Sequence, residues 1–187
     1  MEVKNVCKSY NGETVLNYVN LHIDSGESVV ISGPSGRGKT TLLRLMMGLE
    51  KADSGEITGV PDKIASVFQE DRLPSDFTPA ACVKMTAPRS VSKETILKHL
   101  SEVGLGDHID KPVSKLSGGM RRRVAIVRAI VYDADAVFLD EPFTGLDRET
   151  KLKVIEYIKK YTYGKILIAV SHDAEDAILL NAKEIRI

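Results

Sequence analysis

The chain has 187 residues, 43% hydrophobic and 28% charged, with 26 Lys+Arg set against 26 Asp+Glu. That composition suits one compact domain with a solvated surface and excludes global disorder. A balanced charge argues against a broad nucleic-acid footprint, and no apolar run approaches the roughly 18 residues a membrane helix needs. The N-terminus shows no basic segment followed by an apolar run, so no secretory signal is expected. Cys7 and Cys82 are far apart, which fits reduced cytosolic thiols better than a disulfide framework.

Residues 1 to about 27 alternate apolar and polar, with turn signals at Asn11-Gly12 and Ser25-Gly26. The pattern predicts antiparallel strands at the edge of the core. Ser28-Val29-Val30-Ile31 reads as a buried strand, Gly33 to Gly38 as a glycine-rich turn, and Lys39 to Met47 as a helix closed by Gly48. Residues about 70–115 carry Pro74, Pro79, Pro88 and Pro112 and at least one helix. That helix has Ile96, Leu97, Leu100 and Val103 on one face and Gly104 beyond its end. This predicts a helical lobe inserted into an α/β core. Ala136-Val137-Phe138-Leu139 and Ile166 to Val170 are continuous apolar runs, typical of parallel strands covered by helices on both faces. Asp147 can cap a following helix, with Leu152, Ile155 and Ile158 at helical spacing. Strands alternating with helices indicate a three-layer α/β fold. There is no internal repeat.

Gly33-Pro34-Ser35-Gly36-Arg37-Gly38-Lys39-Thr40 fits the pattern G-x-x-x-x-G-K-[ST] between a predicted strand and a predicted helix. The glycines let the backbone curl so that successive N–H groups face one anion, and the helix N-terminus adds positive potential there. Lys39 can reach the β- and γ-phosphates of a nucleotide, and the Thr40 hydroxyl can bind Mg²⁺. Asp140 and Glu141 follow the strand Ala136 to Leu139. Alone, they would read as a charged strand end turning at Pro142. Beside a phosphate loop, Asp140 fits a Mg²⁺ ligand, direct or through water, and Glu141 a base for an attacking water. Leu116-Ser117-Gly118-Gly119-Met120 opens another helix, with Ser117 as its cap. Its bared N–H groups make a second anion site. Arg121-Arg122-Arg123 follow, and a solvated helix face is the expected place for at least one of them.

Taken together, these motifs resemble the nucleotide-binding subunits of ABC transporters over almost the whole chain. The phosphate loop is Gly33 to Thr41. Gln69 after Val67-Phe68 resembles the Q-loop glutamine, and Leu116 to Met120 the LSGGQ signature. Phe138-Leu139-Asp140-Glu141-Pro142 is similar to Walker B, Thr144-Gly145-Leu146-Asp147 to the D-loop, and His172 to the switch histidine. Tyr10 sits where the family places an aromatic against adenine. The resemblance implies a P-loop NTPase core with a mainly parallel sheet, an N-terminal antiparallel β subdomain and an inserted helical subdomain at about residues 70–130, in one ATPase domain over residues 1–187.

The resemblance further implies ATP hydrolysis with Mg²⁺ held by Thr40, Gln69 and Asp140. It implies catalysis by Glu141, His172 and Lys39. Two copies would pair head to tail, with Ser117, Gly118 and Gly119 of one completing the site of the other. Separate membrane-spanning subunits would receive the change through Gln69 and the lobe, at the cytoplasmic face of the membrane. No nucleic-acid partner is expected. Met120 departs from the family's signature glutamine and lacks its hydrogen-bonding groups. The chain's short run past His172 implies no C-terminal regulatory domain. Gln69-Glu70-Asp71-Arg72-Leu73-Pro74 resembles the Q-loop of importers for nitrate, sulfonates and related solutes, which implies import. Export, lipoprotein release and a soluble ABC ATPase outside transport are the alternatives.

Overall fold

A computed structural model describes all 187 residues, Met1–Ile187. The chain opens with β1 (Glu2–Tyr10) and β2 (Glu13–His22), an antiparallel hairpin. Its two-residue turn is Asn11-Gly12, both at positive φ, the geometry whose twist matches that of paired strands. There follow β3 (Ser28–Ser32), α1 (Lys39–Met46), β4 (Ser54–Thr58), β5 (Ile64–Val67), α2 (Pro79–Lys84), α3 (Lys93–Glu102) and α4 (Gly118–Val131). The chain closes with β6 (Ala136–Asp140), α5 (Arg148–Thr162), β7 (Ile166–Ser171), α6 (Glu175–Leu179) and β8 (Lys183–Arg186).

The strands form two sheets. One is antiparallel in the order β2-β1-β4, and the other has the order β5-β6-β7-β3-β8 with every pair parallel. The fold is therefore the expected α/β P-loop type with an antiparallel β subdomain. Sequence pattern missed β4, β5 and β8. Ser54–Thr58 is mostly polar and exposed, and β5 and β8 have four residues each, too few for a periodicity to register.

β6 and β7 are buried along their whole length. Alternate side chains enter two cores, as strand geometry requires. Ala136, Phe138, Ile166, Ile168 and Val170 pack with Leu42, Leu43 and Met46 of α1 and with Val3, Val6 and Leu16 of the hairpin. Val137, Leu139, Leu167 and Ala169 face Val124, Ala125 and Val127 of α4 and Val154, Ile155 and Ile158 of α5. Each large side chain buried this way contributes roughly 1.5–3 kcal/mol. Exposed ion pairs such as Lys153–Glu149 contribute about 0.3–0.5 kcal/mol, so packing dominates the stability.

Two sequence expectations need correction. Leu152 is 41% exposed, because the apolar face of α5 runs instead through Val154, Ile155, Tyr157 and Ile158. Arg121, Arg122 and Arg123 do not form a solvated face; Arg122 is buried and the others half-buried. Their guanidinium groups donate to backbone carbonyls, Arg121 to Leu116 and Arg123 to Val103, Gly104 and Gly119.

The lobe helices lie in the chain between β5 and β6. In α3, Ile96 and Leu100 are buried and Leu97 is half-buried; Val103, just past its end, is buried, and Gly104 turns left-handed after it. His99 shares the buried side and bonds the Tyr157 hydroxyl of α5 through Nδ1 at 2.8 Å. Nearby, Glu102 accepts from Lys160 Nζ and the Tyr161 hydroxyl, both at 2.9 Å, so α3 and α5 are tied by polar as well as apolar contacts.

Burial pushes the His99 pKa below its ordinary value. Lys160 and Lys98 add to that depression and Glu102 opposes it. The unfolded chain therefore takes up this proton first as pH falls. The contribution of neutral His99 is full above about pH 6.5 and is lost as pH drops toward the folded pKa. His22, raised by Asp24 and Glu2, acts in the opposite sense above that range. His99→Gln keeps a hydrogen-bonding group and does not titrate. Between pH 7 and 5 the unfolding midpoint of the natural chain should fall more steeply than that of His99→Gln, His22 cancelling in the difference; parallel slopes would contradict the assignment.

Candidate functional site

Four adjacent strands deliver loops to one edge of the parallel sheet. β5 leads to Gln69, β6 ends at Asp140, β7 ends just before His172, and β3 leads into Gly33 to Gly38. The carboxyl ends of parallel strands are where open α/β sheets bind ligands. A cleft of about 390 Å³ lies there, lined by Tyr10, Val15, Ser35, Gly36, Gly38, Lys39, Thr40, Thr41, Gln69 and Glu141. A second cleft, about 400 Å³, is lined by Gly26, Ser28, Tyr163 and Gly164 at the opposite edge. Only the first gathers a lysine, hydroxyls, a carboxylate and an open helix N-terminus.

That open terminus belongs to α1. Its N-cap is Gly38, at φ 85, with no side-chain cap. By contrast α2, α3, α4 and α5 are capped by Thr78, Ser92, Ser117 and Asp147, each accepting a backbone N–H. The first-turn N–H groups of α1 are left for an outside acceptor, the arrangement that binds anions. Gly38 is also sterically required. A Cβ there would lie 2.7 Å from Val15 Cγ1 and 2.8 Å from Leu16 Cδ2, at a φ that side chains resist.

Lys39 is buried, and its Nζ donates to the Gly33 and Pro34 carbonyls at 2.7 and 2.9 Å. It thus lies across the loop that Gly33 and Pro34 begin. Arg37 departs from the cradle; it lines a separate cleft with Val15, Asn17, Asn20 and Arg186, so only its backbone belongs to the loop. Thr40 Oγ1 donates to Asp140 Oδ1 at 3.1 Å, joining the loop helix to the end of β6. Burial raises the Asp140 pKa and the Glu141 charge adds to this, while the Thr40 hydrogen bond opposes it.

Glu141 has φ 49, rare for a residue with a side chain, and its N–H donates to the Val170 carbonyl at 3.0 Å. Strain of this kind persists where surrounding structure enforces it, and it clusters at functional sites. Glu141 lines the cleft, and its Oε2 meets Nδ1 of His172, which is not among the lining residues, at 2.7 Å. The residues around His172 are pinned. Ser171 Oγ donates to Asp176 at 2.6 Å, and Lys151 of α5 bridges Asp173 and Asp176 at 2.7 and 2.5 Å. Burial works against the Lys151 charge, but the two carboxylates outweigh it and hold its pKa above the ordinary value. The sequence carried no signal for this bridge, because Lys151 is one of five lysines between residues 150 and 166.

Tyr10 stands at the hairpin tip, 41% exposed, and lines the cleft. Its hydroxyl donates to Glu50, a contact the sequence did not suggest. Ser117, Gly118 and Gly119 are not among the cleft's lining residues. Ser117 caps α4 by accepting from Met120 N, and a Cβ on Gly119 would come within 2.9 Å of the Gly145 carbonyl. Met120 is half-buried against the lobe core, so apolar packing occupies the place of an amide.

Comparison with known proteins agrees with this geometry. The ABC transporter family model matches residues 16–144, more than half of the chain. The chain is 34% identical to the aliphatic sulfonates import ATP-binding protein SsuB 1 of Pseudomonas syringae pv. syringae, over 97% of this chain and 77% of that one. It is 40% identical to SsuB 1 of Nocardia farcinica, over 92% and 71%. It is 37% identical to the spermidine/putrescine import ATP-binding protein PotA of Haemophilus influenzae, over 97% and 53%. Among solved structures, dimeric MJ0796, a bacterial ABC transporter cassette, superposes with a TM-score of 0.83 at 29% identity, covering 99% of this chain and 94% of that one. A post-hydrolysis dimer of the same cassette with ADP and Pi gives 0.81. The chain thus belongs to the ABC transporter family and is one of its ATP-binding, ATP-hydrolysing subunits.

Proposed function

We propose that this chain, as one ATPase domain over residues 1–187 with its helical lobe at about 70–130, powers import of a small solute through separate membrane-spanning subunits. Support for import comes from the relatives, which are named import ATP-binding proteins. No helix here is long and apolar enough to cross a membrane, so the passage for solute would belong to other chains. A place on the cytoplasmic face follows from that partnership. The relatives' cargoes differ, sulfonates and polyamines, at similar identity. Cargo is therefore not carried over to this chain.

The observation that carries the catalytic reading is the 2.7 Å contact with His172 made by Glu141, which lines the same cleft as Lys39 and Thr40. Backbone N–H groups of the α1 terminus and the Lys39 ammonium would hold the β- and γ-phosphates. Tyr10 would lie against the adenine. Mg²⁺ fits the donors present: the Thr40 hydroxyl and Asp140 carboxylate already meet at 3.1 Å, and the Gln69 amide lines the same cleft. So few protein oxygens suit a hard octahedral cation that takes its remaining ligands from phosphate and water. When bound, it would neutralise charge on the β- and γ-phosphate oxygens. Glu141 accepts a proton from the attacking water as its oxygen bonds to the γ-phosphorus, and ADP departs with the bridging oxygen. His172 holds the Glu141 carboxylate in line and meets the γ-phosphate.

One half of the site is supplied from elsewhere in this reading. Ser117, Gly118 and Gly119 lie outside the cleft; Ser117 caps only the Met120 N–H, which leaves the Gly118 and Gly119 N–H groups of this helix start for an outside acceptor. A second copy, packed head to tail, would bring them to the γ-phosphate. Support comes from the dimeric form of the related cassette.

Glu141→Gln keeps shape and removes the base, so ATP binding should persist while turnover falls by about 10²–10⁴-fold, or ~3–5 kcal/mol of barrier. Steady-state turnover within a factor of about three of the natural chain would take Glu141 out of that role. In the same variant, Mg-ATP should promote dimers seen by analytical ultracentrifugation, because the ligand links the two copies. Adding Ser117→Arg should abolish them by bulk at the glycine-lined helix start. A dimer indifferent to that change would sink the composite site.

A further inference from the structure

We infer that Arg122 is a positioning residue that fixes the Q-loop, and Gln69 in particular, to the helix that begins at the signature. Arg122 lies on the first turns of α4, three residues beyond Gly119, and is only 6% exposed. Its guanidinium donates through Nη1 to the Phe68 carbonyl and through Nη2 to the Gln69 carbonyl, both at 2.5 Å. Nη1 also lies 3.3 Å from Asp71 Oδ1. Farther along α4, Arg128 donates to the carbonyls of Arg72 at 2.9 Å and Asp71 at 3.2 Å. Four of the five carbonyls from Phe68 to Arg72 are thus held by two arginines of one helix.

This segment needs outside holding. It follows β5, belongs to no helix or strand, and contains Arg72 in the left-handed region at φ 46. A buried guanidinium stays charged, so its burial is tolerable only where acceptors meet it. Two successive carbonyls accept its N–H groups, and the Asp71 carboxylate lies within ion-pair distance of it. The planar fork fixes both carbonyl directions at once, which a lysine ammonium cannot do. Since the backbone of Gln69 is held, so is the direction in which its side chain enters the cleft. The same rigid helix starts at Ser117 to Gly119. A shift of that helix start would then move Gln69, linking the half-site offered to a second copy with the site of the chain's own nucleotide. The inference rests on the proposed roles of Gln69 and of the signature.

The test compares Gln69→Ala, Arg122→Met, Arg122→Lys, Arg128→Met and the double variant Arg122→Met/Gln69→Ala in the full chain. Measured are ATP affinity, kcat and KM, the unfolding midpoint, and the Gln69 side-chain amide signal in nucleotide-free protein, assigned by its loss in Gln69→Ala. Arg122→Met should lower kcat by about tenfold with KM changed less than about threefold, and the double variant should be no slower than the slower single one. Arg122→Lys should recover only part of the rate. The Gln69 amide signal should move in Arg122→Met and stay in Arg128→Met, which removes comparable bonds without touching Gln69. Should the methionine variant fail to fold, Arg122→Gln carries the same comparison. Multiplicative losses in the double variant, or equal amide shifts in Arg122→Met and Arg128→Met, would overturn the inference while leaving Gln69's own role standing. Natural turnover in Gln69→Ala would overturn that role and the inference with it.

Discussion

A parallel sheet covered on both faces leaves its backbone no partners but neighbouring strands, so the strands are locked in register and their loops emerge only at the two edges. In this chain the pairing Leu139↔Ala169, with Asp140↔Val170, and Ile31↔Val170, with Ser32↔Ser171, sets the ends of β6, β7 and β3 at one level. The phosphate loop, the Asp140-Glu141 pair and His172 therefore arrive together without any contact being needed to bring them there. Extending the ladder by one bond, Glu141 N–H to the Val170 carbonyl, forces the left-handed turn that aims its carboxylate.

Helix ends divide the remaining work. Side-chain caps at Thr78, Ser92, Ser117 and Asp147 satisfy their own helices, each cap being worth about 1 kcal/mol. Gly38 gives α1 no such cap. Stability lost there is offset when an anion accepts the free N–H groups, so the local weakness and the ligand site are one feature. Gly119 plays a related part, since its missing side chain lets the signature turn approach the Gly145 carbonyl of the D-loop.

Buried charge marks where loops must hold position. Lys151 with Asp173 and Asp176 braces the segment bearing His172, and Arg122 braces the segment bearing Gln69. Hydrophobic replacements of buried ion pairs are often as stable, so these contacts contribute orientation more than net stability. The apolar cores could not supply it. Packing resists compression but does not choose a rotation for an irregular loop, whereas hydrogen bonds to its carbonyls do.

The sequence by itself determined the strand-loop-helix at Gly33 to Thr41, the three central strands, the helices capped by Ser117 and Asp147 and the order of the motifs. Each of these is local: a period, a cap residue or a glycine needed within a few positions. Tertiary structure alone decided the short strands β4, β5 and β8, whose pairing comes from neighbours rather than from pattern. It also decided that Leu152 faces solvent and that the arginines after the signature are turned inward. A run of three arginines on a helix looks solvated because burial is costly without acceptors. For the buried Arg122 those acceptors, the carbonyls of Phe68 and Gln69, lie more than 50 residues earlier in the chain. Only folding the lobe onto the sheet brings them within reach.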